Sequence, residues 1–191
     1  MDHELVVVRD DDLDECRAKH PLHELQERVE LGRALDGSQQ GPAGFVEIRN
    51  NGDGVRNATG NDTNSNMVIE NTRFEYNHNN GVLAGNGSAN ISIRNSVLAN
   101  NNVGVTAGSS SQTQPVLIVV DTCTIAHNGE ALHAEISVGS ATIRVTNSTI
   151  FHNQSGMFTS GAGAAIESYG NNRVLANTNN STFSGSVLPL Q

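Results

Sequence analysis

The chain has 191 residues, enough for one hydrophobic core but short for two domains of ordinary size. It carries 20 acidic and 11 basic residues, and its net charge of −9 argues against a nucleic-acid backbone or an anionic membrane surface as the main partner. Aromatic residues make up only 4% of the chain, and no stretch approaches the roughly 20 apolar residues of a membrane span. We therefore expect no nucleic-acid partner and no membrane insertion.

The first 40 residues differ in composition from the rest of the chain. They hold eleven acids, five bases and no asparagine, whereas all 24 asparagines lie between Asn50 and Asn180. Apolar residues near one face of a helix predict an amphipathic helix over residues 22–35. We therefore divide the chain into an acidic segment, residues 1–40, which is either a helical cap or a poorly ordered leader, and a second region, residues 41–191.

A seven-residue pattern repeats through the second region at nearly constant spacing. Each copy has a large apolar residue three positions before a closing asparagine, and the closing asparagines are 26, 24, 27, 25 and 24 residues apart. Repeats of this length are typical of solenoids, in which each repeat stacks on the one before it. The closing asparagines are Asn51, Asn77, Asn101, Asn128, Asn153 and Asn177.

Apolar residues occupy equivalent positions in every copy. Before each motif they alternate with other residues in a period of two, as in Met67-Val68-Ile69, which indicates a short strand with one inward face. A second strand follows each closing asparagine, and its inward row is predicted to be Ala84, Ala107, Ala134 and Thr159. The column three positions before the closing asparagines is Ile48, Phe74, Leu98, Ile125, Ile150 and Val174. We therefore predict an all-β parallel solenoid of about six coils, stacked about 4.8 Å apart.

The closing asparagines are predicted to have two structural roles. Each lies at a sharp bend, where we expect it to take the left-handed backbone conformation that Asn and Gly tolerate best. Their stacked side chains are expected to hydrogen-bond along the axis as an amide ladder. A neighbouring column of small inward residues contains Cys123, which we interpret as a buried small side chain and not as a nucleophile. Because Cys16 lies in the other segment, the two cysteines indicate no disulfide framework.

The pattern Asn-Ser/Thr-x-Ile/Leu/Phe-x-x-Asn followed by Gly-Val resembles the repeat of right-handed parallel β-helix proteins of the pectin-lyase-like superfold, over residues 45–191. Residues 168–174 are similar to the last coil of bacterial β-helix proteins without an assigned activity. The resemblance implies a right-handed winding, a hydrophobic interior and a secreted or cell-surface location, although the first residues lack the basic region of a secretory signal. Residues 1–40 match nothing in that pattern.

Many proteins of this superfold cleave or epimerise acidic polysaccharides, so the charged residues were considered as catalytic groups. The second region has no lysine and only nine scattered acids. A glycoside hydrolase needs two carboxylates flanking the scissile bond, and Glu70 and Asp121 share an outer column two coils apart. Arg94 occupies the coil between them, which favours a surface charge ladder. We assign no catalytic residue, no metal ligand and no cofactor.

The outer column immediately before the closing asparagines is the best candidate for contact with a ligand. It contains Tyr76, Asn100, His127 and His152, which could contact a sugar chain running along the rod. The default interpretation is a solvated polar column, and two histidines without a third ligand make a weak metal site. On another outer strand, His133 and the nearby glutamate at 135 could form a local pair.

These patterns predict a non-catalytic β-helix module, structural or interacting, that contacts polysaccharide weakly along its outer face. The alternative is a polysaccharide lyase, hydrolase or epimerase that uses His127, His152, Arg94 or Glu70. A third possibility is a fragment of a longer solenoid, because the chain is shorter than is usual in the superfold. Open end coils also predict self-association through unpaired strand edges.

Overall fold

The computed structural model of the chain describes residues 29–31, 46–58, 64–85, 87–109 and 115–189. Within these ranges the structure contains no helix, and its regular elements are seventeen β-strands. In chain order the strands are β1 (Val29–Leu31), β2 (Val46–Arg49), β3 (Val55–Ala58), β4 (Asn64–Glu70), β5 (Thr72–Glu75), β6 (Asn80–Gly85), β7 (Ser88–Arg94), β8 (Val97–Ala99), β9 (Val103–Ser109), β10 (Val116–Asp121), β11 (Thr124–Ala126), β12 (Glu130–Ile136), β13 (Ala141–Thr146), β14 (Thr149–Phe151), β15 (Ser155–Ser160), β16 (Ala164–Ser168) and β17 (Arg173–Leu175).

The strands form three sheets that run along the molecule. Sheet I contains β2, β5, β8, β11, β14 and β17, sheet II contains β1, β3, β6, β9, β12 and β15, and sheet III contains β4, β7, β10, β13 and β16. From β2 onwards each strand pairs in parallel with the strand three elements later, one turn further along. The chain thus makes five complete turns, and β17 opens a sixth, which confirms the predicted all-β parallel solenoid. The right-handed winding stays a prediction, favoured by the general preference of parallel β crossovers for that hand.

The apolar column of sheet I lies in register through the solenoid. Phe74 pairs with Leu98, Leu98 with Ile125, and Ile125 with Ile150. All four side chains are fully buried, while Val174 on the last turn is partly exposed. Because burial of one such side chain contributes about 1.5–3 kcal/mol, this column supplies much of the cohesion between turns.

Sheets II and III supply the other walls of the core. The alternating row predicted upstream of each motif lies on sheet III and is buried: Ile69, Ile93, Val120 and Val145. On sheet II the row of Ala84, Ala107 and Ala134 is buried as predicted. Thr159, predicted to continue that row, is exposed instead. It lies on β15, the last strand of sheet II in the described part of the chain, so no further strand of that sheet lies beside it.

Two sharp corners in each turn contain a residue with positive φ, and among the described residues it is a glycine only at Gly170, in the last corner from sheet III to sheet I. The corner from sheet III to sheet I has φ values of 47° to 55° at Asn71, Asn95, Thr122 and Asn147. The corner from sheet I to sheet II has φ values of 53° to 60° at Asn50, Tyr76, Asn100, His127, His152 and Ala176. The prediction that the closing asparagines themselves are left-handed is therefore wrong by one residue. The residue before each closing asparagine makes the bend, and the asparagine turns its side chain inward.

The closing asparagines form the predicted ladder inside this corner. The backbone nitrogen and Nδ2 of Asn101 both donate to Oδ1 of Asn128, at 2.9 and 3.1 Å, and Nδ2 also donates to the carbonyl oxygen of Phe74 at 3.0 Å. The same two bonds to the next turn recur at the other closing asparagines. At the last turn Asn177 donates in the same way to Oδ1 of Asn180, which the repeat did not predict. Each amide therefore satisfies buried polar groups while it joins two turns.

Turn length varies mainly between sheets II and III. The inward residues Val55, Val82, Val105, Leu132 and Met157 of sheet II pair with one another, and so do the inward residues of sheet III that follow them. Counted along the chain from each of these sheet II residues to the paired row of sheet III that begins with Ile69, the separation is 14, 11, 15, 13 and 11 residues on successive turns. From sheet III to the apolar column of sheet I it is only five or six residues.

Segments outside the parallel turns lie along both ends of the solenoid. β1 pairs antiparallel with β3, so the predicted helix over 22–35 is wrong for residues 29–31, which are extended. The remainder of that prediction lies outside the described residues. At the other end, Phe183 packs against the core, and the backbone nitrogen of Leu188 donates to the carbonyl oxygen of Ser168 at 2.8 Å. One edge strand at each end is therefore paired, while self-association stays a prediction.

The ladder should contribute measurably to stability. Asn128→Ala leaves the carbonyl oxygen of Leu98 and the backbone nitrogen of Asn101 without their amide partners. We expect the free energy of unfolding to fall by about 3 kcal/mol, since each buried polar group left unpaired costs about 1–3 kcal/mol. Urea denaturation followed by circular dichroism measures the change. The control is Asn102→Ala at an exposed neighbour, and equal effects of the two substitutions would contradict the prediction.

Candidate functional site

The outer corner between sheets I and II carries the residues predicted to contact a ligand. Tyr76, Asn100, His127 and His152 lie on four successive turns, and all four are exposed. The imidazole rings of His127 and His152 contact each other, with centroids 5.4 Å apart. Both also contact the ring of Phe151, with centroids 5.9 and 5.0 Å away. We call these five residues the corner strip.

The backbone of the corner determines where the strip residues project. Tyr76 donates its backbone nitrogen to the carbonyl oxygen of Ala99 at 3.3 Å, and Asn100 donates to that of Ala126 at the same distance. These bonds hold the left-handed residues one above another along the axis. Tyr76 consequently exposes 58% of its surface at the outside of the bend.

Two alanines lie on the face of sheet I beside the strip. Ala99 and Ala126 follow inward residues in the strand alternation, yet they are only 7% and 3% exposed. They are paired along the column with Glu75 on one side and Phe151 on the other, both of which are larger. The corner strip therefore lies next to two small side chains that are flanked by larger ones.

The charged residues considered for catalysis are engaged with partners on sheet III. Glu70 forms an ion pair with Arg94 on the next turn. Asp121 accepts hydrogen bonds from the Thr122 hydroxyl at 2.9 Å and from Nδ2 of Asn147 at 3.1 Å. An exposed ion pair such as Glu70–Arg94 is an ordinary feature of protein surfaces.

Cys123 is buried, as the sequence predicted. Its thiol is 3.2 Å from the carbonyl oxygen of Asp121, to which it donates, and the residue is only 3% exposed. Burial raises the pKa of the Cys123 thiol from its ordinary value of 9.0 to about 11, and backbone hydrogen bonds at Ser96 and Asp121 partly oppose that effect. A thiol with so high a pKa is a poor nucleophile at neutral pH.

A second group of side chains lies on the outer face of sheet II. His133 lies between two glutamates, with Nδ1 2.6 Å from Oε2 of Glu130 and Nε2 3.3 Å from Oε2 of Glu135. Phe158 on the next turn contacts the imidazole, with centroids 4.7 Å apart. The sequence predicted only the pair with Glu135, because strict alternation places Glu130 on the opposite face. Two consecutive buried residues follow Glu130 in β12, and this break in alternation brings its side chain to the outer face.

Comparisons with known proteins identify no family for the chain. It matches no protein-family model, no curated protein and no solved structure. The described residues contain no group of three or more His, Cys, Asp or Glu side chains that could hold a metal ion. No helix within the described ranges is long and apolar enough to cross a membrane. The structure thus establishes a parallel β-solenoid with a buried asparagine ladder.

Cys123 should make stability depend on pH in the alkaline range. Its pKa rises from 9.0 to about 11 on folding, so the folded state retains the proton more tightly than the unfolded state. The resulting stabilisation is complete below about pH 9 and is lost as the pH rises to about 11, a change of about 2–3 kcal/mol. Cys123→Ser, which matches Ser96 and Ser148 in the same column, should remove this dependence. Urea denaturation of both proteins across that range measures it, and parallel curves would contradict it.

Proposed function

We propose that the chain is a non-catalytic β-helix module, part structural rod and part interaction surface, that contacts polysaccharide along its outer face through the corner strip. The proposal includes the assignment of the chain to the right-handed parallel β-helices of the pectin-lyase-like superfold. It is supported by the motif that closes each repeat with asparagine, as in Asn147–Asn153.

The observation that carries the proposal is the presence of exposed rings at strained backbone positions. Tyr76, His127 and His152 have φ values of 56°, 58° and 54°. A left-handed conformation costs a residue with a side chain roughly 1–2 kcal/mol, and asparagine and histidine tolerate it better than most, so the strain is greatest at Tyr76. Asn50 and Asn100 occupy the equivalent position on other turns. Because exposed rings bring little burial to offset this strain, their presence supports a role in contact with a molecule outside the chain.

The chemistry of the strip suits a sugar polymer aligned with the solenoid axis. Successive turns are about 4.8 Å apart, so a linear ligand would meet one strip residue at each turn. Exposed aromatic rings pack against the apolar faces of sugars, and the amide of Asn100 can donate to and accept from hydroxyl groups. The enzymatic alternative is less well supported, because Glu70 is paired with Arg94 and residues 41–191 contain no lysine.

The strip can be tested without disturbing the corner. Tyr76→Asn combined with His152→Asn removes two exposed rings and supplies the residue that the corner already carries at Asn50 and Asn100. We expect affinity for soluble polysaccharides to fall at least tenfold, while the free energy of unfolding rises by about 0.5–1 kcal/mol as strain is relieved. Affinity gel electrophoresis and urea denaturation measure the two effects.

Two controls accompany this experiment. Val68→Asn replaces an exposed apolar residue on sheet III and should leave polysaccharide binding unchanged. Loss of stability with unchanged binding in the double variant would mean that the rings have a structural role only. Release of reducing ends or unsaturated uronates by the unaltered chain would overturn the non-catalytic assignment.

A further inference from the structure

A groove of about 530 Å³ lies on sheet II, across the corner from the strip. We propose that this groove is a separate binding site for a neutral sugar unit, with the ring of Phe158 as its stacking surface. The inference rests on the proposed function in one respect, that the outer face of the solenoid contacts sugars. The side chains lining the groove include Asn102, Glu130, His133, Gln154, Phe158 and Asn179.

The ring of Phe158 contacts a neighbouring imidazole on one side and is open to solvent on the other. It exposes 42% of its surface, and its ring lies against the His133 imidazole at an interplanar angle of 48°. His133 is itself held by Glu130 on one side and Glu135 on the other. A ring that is already fixed loses little conformational freedom on binding, which favours affinity. One open aromatic face also matches the apolar face of a pyranose ring.

The shape of the groove depends on the residues that directly follow the closing asparagines on successive turns. The backbone N–H groups of Gln154 and Gly129 donate to the carbonyl oxygens of the closing asparagines one turn earlier, so these two residues occupy equivalent positions. Asn102 occupies the same position on the turn before Gly129. The missing side chain at Gly129 leaves a depression between the two amides. A Cβ there would lie 2.7 Å from the carbonyl oxygen of Asn102, so the close approach of the turns requires glycine.

The polar groups around the depression are suited to hydroxyl groups. Asn102, Gln154 and Asn179 are all exposed, and each carboxamide can donate and accept. Glu130 adds a carboxylate that accepts from a hydroxyl. A sugar stacked on Phe158 would thus have hydrogen-bonding partners along its edge, and ligand sites commonly combine an apolar surface with a few polar groups in this way.

The charge of the groove determines the class of sugar. Glu130 lines it and Glu135 lies beside it, while no arginine or lysine is among the described residues that line it. A uronate would bring its carboxylate towards these glutamates, while the imidazole of His133, the basic side chain of the groove, is already held between the two of them. The groove therefore selects neutral sugars, unlike the acidic polysaccharides that the superfold resemblance implies.

Short oligosaccharides help to distinguish the groove from the strip, because the two surfaces lie on either side of the ladder corner and a trisaccharide can occupy one of them without the other. The probes are neutral trisaccharides of glucose, mannose and galactose, with trigalacturonate as the acidic counterpart. We expect at least one neutral trisaccharide to shift the amide NMR signals of Gly129 and Phe158. Phe158→Ala should weaken this binding at least tenfold, whereas the matched truncation Val68→Ala on sheet III should change it less than twofold.

The double variant Tyr76→Asn with His152→Asn separates this inference from the proposed function. It should leave trisaccharide binding in the groove unchanged while it weakens polymer binding by the strip. The inference is overturned if no neutral trisaccharide shifts these signals, if Phe158→Ala binds as well as the unaltered chain, or if trigalacturonate binds the groove equally well. Loss of trisaccharide binding in the double variant would place the ligand on the strip instead.

Discussion

Stacked amides along the axis are the interaction on which the rest of the structure depends. Each closing asparagine donates twice to the next one, so the ladder sets the register between turns and satisfies backbone groups inside the bend. The residue before each ladder asparagine is then forced into a left-handed conformation at the outside of the corner. The residue after it begins the rim of the groove on sheet II. The strip and the groove therefore lie on either side of one structural feature.

The repeat made the fold predictable because stacking places equivalent residues of successive turns next to one another. Phe74, Leu98 and Ile125 had to share an environment if the period was real, and their pairing in register follows from it. Burial of Cys123 was predictable for the same reason, since serine and threonine occupy its column on other turns. The left-handed residue was misplaced by one position, because Asn50 and Asn100 stand next to closing asparagines and the sequence does not distinguish the two.

Features that break the period could not be predicted from it. Asn180 ends the ladder only three residues after Asn177, so it belongs to no repeat. Glu130 meets His133 because two buried residues in succession follow Glu130 in β12, which an alternating pattern does not contain. Residues 29–31 read as part of a helix from their spacing, but pairing with β3 decides their conformation instead. In each case a tertiary contact overrides the local pattern.

The unequal connections between sheets II and III have a consequence for engineering. They differ by up to four residues between turns, yet the sheets on both sides keep their pairing. Extra chain at this corner is thus accommodated without a change in the core. The bend at residues 137–140 leaves β12 at the end opposite the ladder, and Val138 is 48% exposed there. A foreign peptide grafted at that bend would be displayed on a rigid support, at the end of β12 opposite the ladder and the corner strip.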